Sequence, residues 1–478
     1  MKKILYLLMA VLTLSFVASC KDSSSSDDNT SGDVDAPKIV SVTPAPDTTE
    51  LDTIDSVVIT YNEPIFRTPV TTIKVNDSYY VDSGVVARGN QLIIPINTKG
   101  NQTYTITIRK PSVRDSSYNF ASDYTLSFST AAINNFDATQ FNITDSLCNP
   151  NATSVTKKLY QYLKSQFGHH VLSAAMANVN WNTQEADTMY QMSGKYPAIN
   201  CFDFVHFISS APLNPSNWID YTNITPVKNW WNNGGIVACM WHWSVPDTQA
   251  DEGKYDKYTF YVNDTTKLFT DFNAARAAAS TTSWEYARAT KDMDIIANYL
   301  LSLQAEGIPV LWRPLHEASG NINRYPDGKA WFWWGNRGAT AFKNMWKRMF
   351  NYFKEKGVNN LIWVWTSEGD DAGWYPGDEY VDIIARDYYE NNSSLYHQSI
   401  KKEFDALNAI TKGKKLVTLG ECGAIPEAGN MLQGGDVWSW YMPWYGGYMH
   451  EPYNSESFFT KQMNSKYVIT RDELPDFK

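Results

Sequence analysis

Residues 309–317 read Pro-Val-Leu-Trp-Arg-Pro-Leu-His-Glu, and residues 416–421 read Leu-Val-Thr-Leu-Gly-Glu. Each is a short apolar run that closes on a glutamate, Glu317 in the first and Glu421 in the second. Short apolar runs bounded by glycine and proline read as buried strands. An ionisable residue where such a strand runs out is how a parallel barrel aims carboxyls into the mouth of its active site. Two such ends in one chain point to a hydrolase that works with a pair of carboxylates.

Outward from these two runs, the chain from about residue 137 alternates strand and helix patterns. The strand candidates are 169–175, 196–202, 235–241, 308–313, 361–365, 381–385, 415–419 and 438–442, eight in all. Between them, 292–304 and 341–353 carry apolar residues at helical spacing and are followed by Gly307 and Gly357. Eight alternations predict an α/β fold, a (β/α)8 TIM barrel over 137–478. A doubly wound open sheet is the alternative, but no Gly-rich phosphate loop follows the first strand. Counted along the barrel, Glu317 ends the fourth strand and Glu421 the seventh, so the two carboxyls face each other across the mouth. Glycosidic cleavage needs one carboxylic acid to protonate the leaving oxygen and one carboxylate to attack the anomeric carbon, held roughly 5–5.5 Å apart in retaining enzymes.

Residues 37–131 follow a different rhythm. The runs 38–42, 56–61, 92–96, 104–109 and 124–128 alternate apolar and polar residues between turn formers. Period-two patterning of this kind predicts a small all-β sandwich ahead of the barrel. It reads as a spacer; a carbohydrate-binding role is the rival, with no exposed aromatic row evident to support it.

Aromatic residues make up 14% of the chain and cluster in polar, Gly-rich company, as in Trp331-Phe-Trp-Trp334 and Trp438-Ser-Trp-Tyr-Met-Pro-Trp444. Flat rings stack on the C–H faces of a neutral sugar, so such clusters suit a carbohydrate cleft, with the remaining aromatics in the core. A formal charge of −10 offers no basic patch for nucleic acid or an acidic polysaccharide, which leaves a neutral ligand. Cys148, Cys201, Cys239 and Cys422 have no metal-ligand spacing, and the last three fall in apolar runs as buried free thiols. Neither a metal, a disulfide framework nor a cofactor is expected, and the protein is read as a monomer.

Lys2 and Lys3 precede an apolar run from Ile4 to Val17 that is too short for a permanent span and closes on Val17-Ala-Ser-Cys20. Residues 1–19 read as a signal peptide, and the four closing residues resemble a bacterial lipobox, which would acylate Cys20. Residues 21–36 hold five Ser, five Asp and no aromatic residue, so 20–36 reads as a tether that cannot bury a core. An acidic stretch at this place resembles the surface-export signal of Bacteroidetes lipoproteins. The resemblances imply an outer-membrane lipoprotein anchored through Cys20 and facing outward.

Several motifs together resemble glycoside hydrolase family 26: Arg313-Pro-Leu-His-Glu317, Trp331-Phe-Trp-Trp-Gly335, residues 375–382, Asp387-Tyr-Tyr389, Gly420-Glu421 and residues 468–475. The likeness runs from about residue 140 to the C-terminus. It implies a retaining endo-β-1,4-mannanase acting on mannan, galactomannan or glucomannan. An exo-acting, mannobiose-releasing enzyme or a mixed-linkage β-glucanase are the alternatives within the family. A non-catalytic surface glycan-binding lipoprotein is the alternative outside it. By the resemblance, Glu317 is the acid/base and Glu421 the nucleophile. His242, His316, Trp331, Tyr389 and Trp444 bind substrate, Tyr389 donating to the nucleophile. The N-terminal stretches 37–47 and 58–64 resemble bacterial Ig-like domains. One departure is the connection 318–330, longer than the family's usual few residues between the acid and Trp331.

Some residues keep two readings. Arg313 either fixes Glu421 electrostatically or touches substrate. His242 and His316 are either site contacts or satisfied structural histidines. Asp203, Glu368, Asp370 and Asp371 sit near strand ends and either meet sugar or face solvent.

Overall fold

The computed structural model describes residues 33–478, apart from 69–71, 77, 80–83, 179–180, 208–218, 263–268 and 321–329. Cys20 and most of the acidic tether lie outside the described residues.

The N-terminal unit is built from two four-stranded sheets. Ile39–Thr43, Ser56–Tyr61, Gln91–Pro95 and Val86–Arg88 make one; Tyr124–Ser129, Thr103–Ile108, Ile73–Val75 and Ser78–Tyr79 make the other. The alternation of the sequence is the alternation of burial: Val57, Ile59 and Tyr61 on one strand and Leu92 and Ile94 on its neighbour point inward. A one-residue slip would turn all of them to water, so this core fixes its own register.

The C-terminal unit is a closed parallel barrel. Its strands are β1 (Val171–Met176), β2 (Ile199–Asp203), β3 (Ile236–Trp241), β4 (Val310–Pro314), β5 (Leu361–Ser367), β6 (Ile383–Tyr388), β7 (Leu416–Cys422) and β8 (Trp440–Pro443). Each pairs in parallel with the next, and β1 pairs with both β2 and β8, which closes the ring. A further short strand, Val468–Ile469, lies along β1. All eight strands read from the sequence are present, with ends moved by a few residues. Glu421 lies inside β7, and Glu317 lies three residues beyond β4.

The strands are buried on both faces because helices cover them outside, which is why they read as unbroken apolar runs. The helix Gly338–Glu355 shows how. Phe342, Met345, Trp346, Met349, Phe350 and Phe353 form one apolar stripe at steps of three and four, all buried. Gly357 follows with a φ of +80°, a conformation that suits glycine and ends the run. The helix Trp284–Ala305 starts on Ser283, whose hydroxyl accepts from the Tyr286 N–H. Among the described residues, no helix is long and apolar enough to cross a membrane.

Candidate active site

At the C-terminal ends of the barrel strands lies a cleft of about 700 Å³, lined by His242, His316, Glu317, Trp331, Tyr389, Glu421 and Trp444 among others. These are the seven barrel residues to which the family resemblance assigns catalysis or substrate binding. His242, Tyr389 and Trp444 are each the first residue after their strand, β3, β6 and β8, where a side chain is aimed by the last rung of the ladder.

Glu421 is aimed by a bulge. Along β6 and β7, Arg386 pairs with Leu419 but Asp387 pairs with Glu421, so Gly420 is an extra residue with no partner. Gly420 has to be glycine: a Cβ there would sit 2.7 Å from Asp387 Oδ1 and 3.3 Å from Arg313 Nε. Both Glu421 oxygens are held. Arg313 Nη1 donates to Oε1 over 2.8 Å, and the Tyr389 hydroxyl donates to Oε2 over 2.7 Å. The other arm of the guanidinium pairs with Asp387, and its Nε donates to Thr366 Oγ1 over 2.9 Å. Arg313 is thus spent inside the protein, and of its two readings the electrostatic one is the observed one. Burial, then the Glu421 charge, raise the Tyr389 phenol well above its ordinary value, which keeps it a donor.

Glu317 is aimed by a tight turn. Leu315 and Glu317 both hold left-handed φ values, +50° and +52°, and Trp334 Nε1 pins the turn by donating to the His316 carbonyl over 2.8 Å. Burial, then the charges of Glu368, Glu421 and Asp387, push the Glu317 carboxyl well above the ordinary range, against a smaller pull from Arg313. The two glutamates therefore sit in different surroundings. Burial and neighbouring charge favour the protonated form of Glu317, while Glu421 is held by two hydrogen bonds, from Arg313 and from Tyr389.

The histidines are neither free nor interchangeable. His242 Nδ1 lies 2.6 Å from Asp203 Oδ2, and since a carboxylate only accepts, that nitrogen donates. Asp203 also accepts from the His242 N–H over 3.2 Å, so it is a buried orienting group and meets no solvent. His316 stands edge-on to His242 at 4.4 Å between ring centres. Burial, then His242 and Arg313, hold His316 well below its ordinary pKa, in the neutral form.

The connection 318–330 leaves and returns at one place. The Trp331 N–H donates to the Gly320 carbonyl, and the Trp331 indole covers Gly320 so closely that a Cβ there would lie 2.3 Å from it. Trp331 therefore stays in the cleft with Glu317 despite the longer connection. The aromatic clusters divide as their positions dictate: Trp331, Phe332 and Trp444 line the cleft, whereas Trp333, Trp334, Trp438 and Trp440 are core. The four described cysteines are free thiols, with Cys201, Cys239 and Cys422 buried.

Residues 148–473 match the family model for glycosyl hydrolase family 26, about two-thirds of the chain. The chain belongs to glycosyl hydrolase family 26. Residues 33–130 match the model of a bacterial Ig-like domain. Two relatives of this family 26 protein are a mannan endo-1,4-beta-mannosidase from Thermothelomyces thermophilus, 32% identical over 70% of the chain, and mannan endo-1,4-beta-mannosidase A from a Piromyces species, 33% identical over 69%. The chain spans 64% and 51% of their respective lengths. Among solved structures, the family 26 domain of a Prevotella bryantii endo-β-mannanase/endo-β-glucanase is 40% identical, with a TM-score of 0.61, over 70% of this chain and 100% of that one. A β-mannanase from a symbiotic protist of the termite Reticulitermes speratus, in complex with a gluco-manno-oligosaccharide, is 36% identical, also with a TM-score of 0.61, over 70% of this chain and 99% of that one.

Among the residues of this family 26 cleft that escaped the reading of the sequence as site residues are Asp387, Tyr448 and Tyr261. Asp387 shares Arg313 with Glu421; its motif was visible but its partner was not. Tyr448 packs its ring on Tyr389 at 5.2 Å, from the single turn of 3-10 helix Gly446–Met449, too short for any periodicity to mark it. Tyr261 reaches the cleft from the β3–β4 connection, whose length hides where it returns.

Proposed function

We propose that the protein is a retaining endo-β-1,4-mannanase that hydrolyses mannan, galactomannan or glucomannan backbones by double displacement. The observation that carries this is the unequal treatment of two cleft carboxyls, Glu317 pushed toward its protonated form by desolvation and neighbouring charge and Glu421, buried, clamped by Arg313 and Tyr389.

In the first step Glu421 attacks the anomeric carbon as Glu317 gives its proton to the departing glycosidic oxygen. Loss of that proton leaves Glu317 as the base for the second step, in which it draws a proton from water as the water displaces Glu421. Tyr389 and Arg313 hold the nucleophile in one orientation, so no side-chain freedom has to be lost at the moment of attack. Trp331 and Trp444 supply flat apolar faces, and His242, locked by Asp203, offers a fixed polar edge. The named activities of the Thermothelomyces and Piromyces relatives support mannan as the backbone. The gluco-manno-oligosaccharide in the protist enzyme supports tolerance of glucose within it.

The decisive experiment is product profiling over time on mannan, galactomannan and mixed-linkage β-glucan, with the anomer of the first product followed by proton NMR. Mannan should yield a ladder of oligosaccharides of shrinking length and initial β-anomers. A single dimer product from the start would replace endo by exo action, and absence of reducing ends would leave a glycan-binding protein.

The sequence also supports surface attachment. We infer that residues 1–19 are removed and Cys20 acylated, placing the enzyme on the outer membrane with the Ig-like domain as spacer; the lipobox-like Val17-Ala-Ser-Cys20 and the acidic tether are what support it.

A further inference from the structure

One buried amide fastens the end of β7 to the loop after β8. Asn454 Nδ2 donates to the Gly423 carbonyl over 2.9 Å and to the Tyr448 carbonyl over 2.7 Å, while its Oδ1 accepts from the Ile425 N–H over 3.0 Å. Two carbonyls at the nitrogen and an N–H at the oxygen admit only one orientation of the amide, and the residue is shut off from water. Gly423 stands two residues beyond Glu421. The bond to Tyr448 fixes a single turn, Gly446–Met449, that opens with two glycines and has little stiffness of its own.

What that turn delivers is a ring. Tyr448 packs on Tyr389, and the two rings close over Gly423, where a Cβ would lie 3.3 Å from Tyr448 and 3.5 Å from Tyr389. Tyr389 in turn donates to Glu421 Oε2. Tyr389 is the first residue past β6 and half-buried, with two side-chain torsions that the strand alone does not fix. We propose that Asn454 is a positioning residue for the nucleophile, seating Tyr448 against Tyr389 so that the Tyr389 hydroxyl stays on Glu421. The inference rests on the reading of Glu421 as nucleophile. The near end of the same loop has anchors of its own: the Trp444 N–H donates to the Cys422 carbonyl over 2.9 Å, and the Gly446 N–H to Glu185 Oε1 over 3.2 Å. Loss of Asn454 therefore frees the Tyr448 end and leaves the Trp444 platform in place, which separates an effect on the nucleophile from an effect on sugar binding.

Asn454→Asp keeps the shape and the acceptor but loses both donations and turns a carboxylate toward two carbonyl oxygens. On mannan oligosaccharides its kcat should fall about tenfold with KM unchanged, and the burst of aryl group released from a glycoside with a good leaving group should slow by a similar factor, because the defect lies in the nucleophile and not in proton delivery. Tyr448→Leu leaves the backbone bonds and removes the ring; it should slow the same burst and covers the case in which Asp disturbs folding. Tyr448→Phe, which returns the ring without its oxygen, should recover most of what Tyr448→Leu loses. The deciding arm is combination with Tyr389→Phe. Once that hydroxyl is gone Asn454 has nothing left to aim, so Asn454→Asp should add less than about a twofold loss in that background. A full additive loss there, a loss confined to KM, or a wild-type burst in both Asn454→Asp and Tyr448→Leu would overturn the proposal. Glu421→Ala separates the two readings: retained turnover would mean that the nucleophile is misassigned, whereas an inert Glu421→Ala beside wild-type bursts in the other two variants would mean that Asn454 alone is.

Discussion

Arg313 and Glu421 are joined by a 2.8 Å hydrogen bond between two charged groups that water hardly reaches, their side chains 5% and 4% exposed. The same guanidinium also pairs with Asp387, so one cation answers two buried carboxyls. The arrangement is an orienting device before it is a stabilising one, because each ion has lost its hydration to be there.

Removal of the cation is therefore expected to cost stability in a pH-dependent way. Burial pushes the Asp387 carboxyl up to about 7, with Arg313 pulling it back. In Arg313→Met that pull is gone, and the folded pKa rises further above the unfolded value. A carboxyl raised on folding favours the folded state fully below its unfolded pKa, and that contribution is lost as pH rises through the folded one. Urea unfolding should show a deficit of about 3–5 kcal/mol at pH 8 and a smaller one at pH 5. An equal deficit at both would contradict the reading.

Substitution of the two glutamates should separate their roles. Glu421→Ala is expected to abolish turnover of polymer and activated aryl glycosides alike, with azide entering the vacated space to give a product of inverted configuration. Glu317→Ala should lose about 10²–10⁴-fold on mannan yet retain the first step on an aryl glycoside with a good leaving group. Identical behaviour of the two variants would refute the assignment.

Tyr389→Phe removes one oxygen from a ring already packed against Tyr448, so the fold should hold. The lost hydrogen bond to a charged group is worth about 1.5–3 kcal/mol, which predicts a ten- to hundred-fold lower rate. A wild-type kcat/KM on mannan oligosaccharides would show that Tyr389 does not act on the nucleophile.

Gly320→Ala should drive Trp331 from its seat, since the new Cβ would lie 2.3 Å from the indole. Stacking of an aromatic ring is worth about 0.5–1.5 kcal/mol, so KM should rise several-fold while the melting temperature changes little. The tryptophan emission of the unliganded protein should shift as the indole meets more water. Unchanged KM and emission would mean that the turn yields and the indole stays.

Cys20→Ala should move the protein from membrane to soluble fractions, because the acyl chains at that cysteine would be its attachment. Unchanged fractionation would remove the lipoprotein reading.

The barrel was legible because parallel strands covered on both faces leave continuous apolar runs, and Glu317 and Glu421 were legible because each interrupts such a run. The sites one residue beyond strands β3, β6 and β8 were legible only through the family resemblance, which carried His242, Tyr389 and Trp444. What periodicity does not encode is which long-range pairs form. Nothing local tells that Asp387 and Glu421 divide one arginine, or that Asp371 reaches Ser319 across 52 residues. Strand ends were off by a few residues because the ladder stops where hydrogen bonds stop, and hydrophobicity is silent on that. Trp333 and Trp334 share a motif with Trp331 yet lie in the core, since a turn sends neighbouring rings in opposite directions.

Glu317 occupies a backbone conformation, φ +52°, that costs a residue bearing a Cβ on the order of 1 kcal/mol. Glycine would adopt it freely and would bring no carboxyl to be stripped of water. The position proposed to perform proton transfer is thus one where heat tolerance and turnover reward opposite residues. Populations screened for survival at high temperature alone should drift toward glycine at 317 and become more durable as they become inert, and any programme to harden this enzyme must hold that codon fixed.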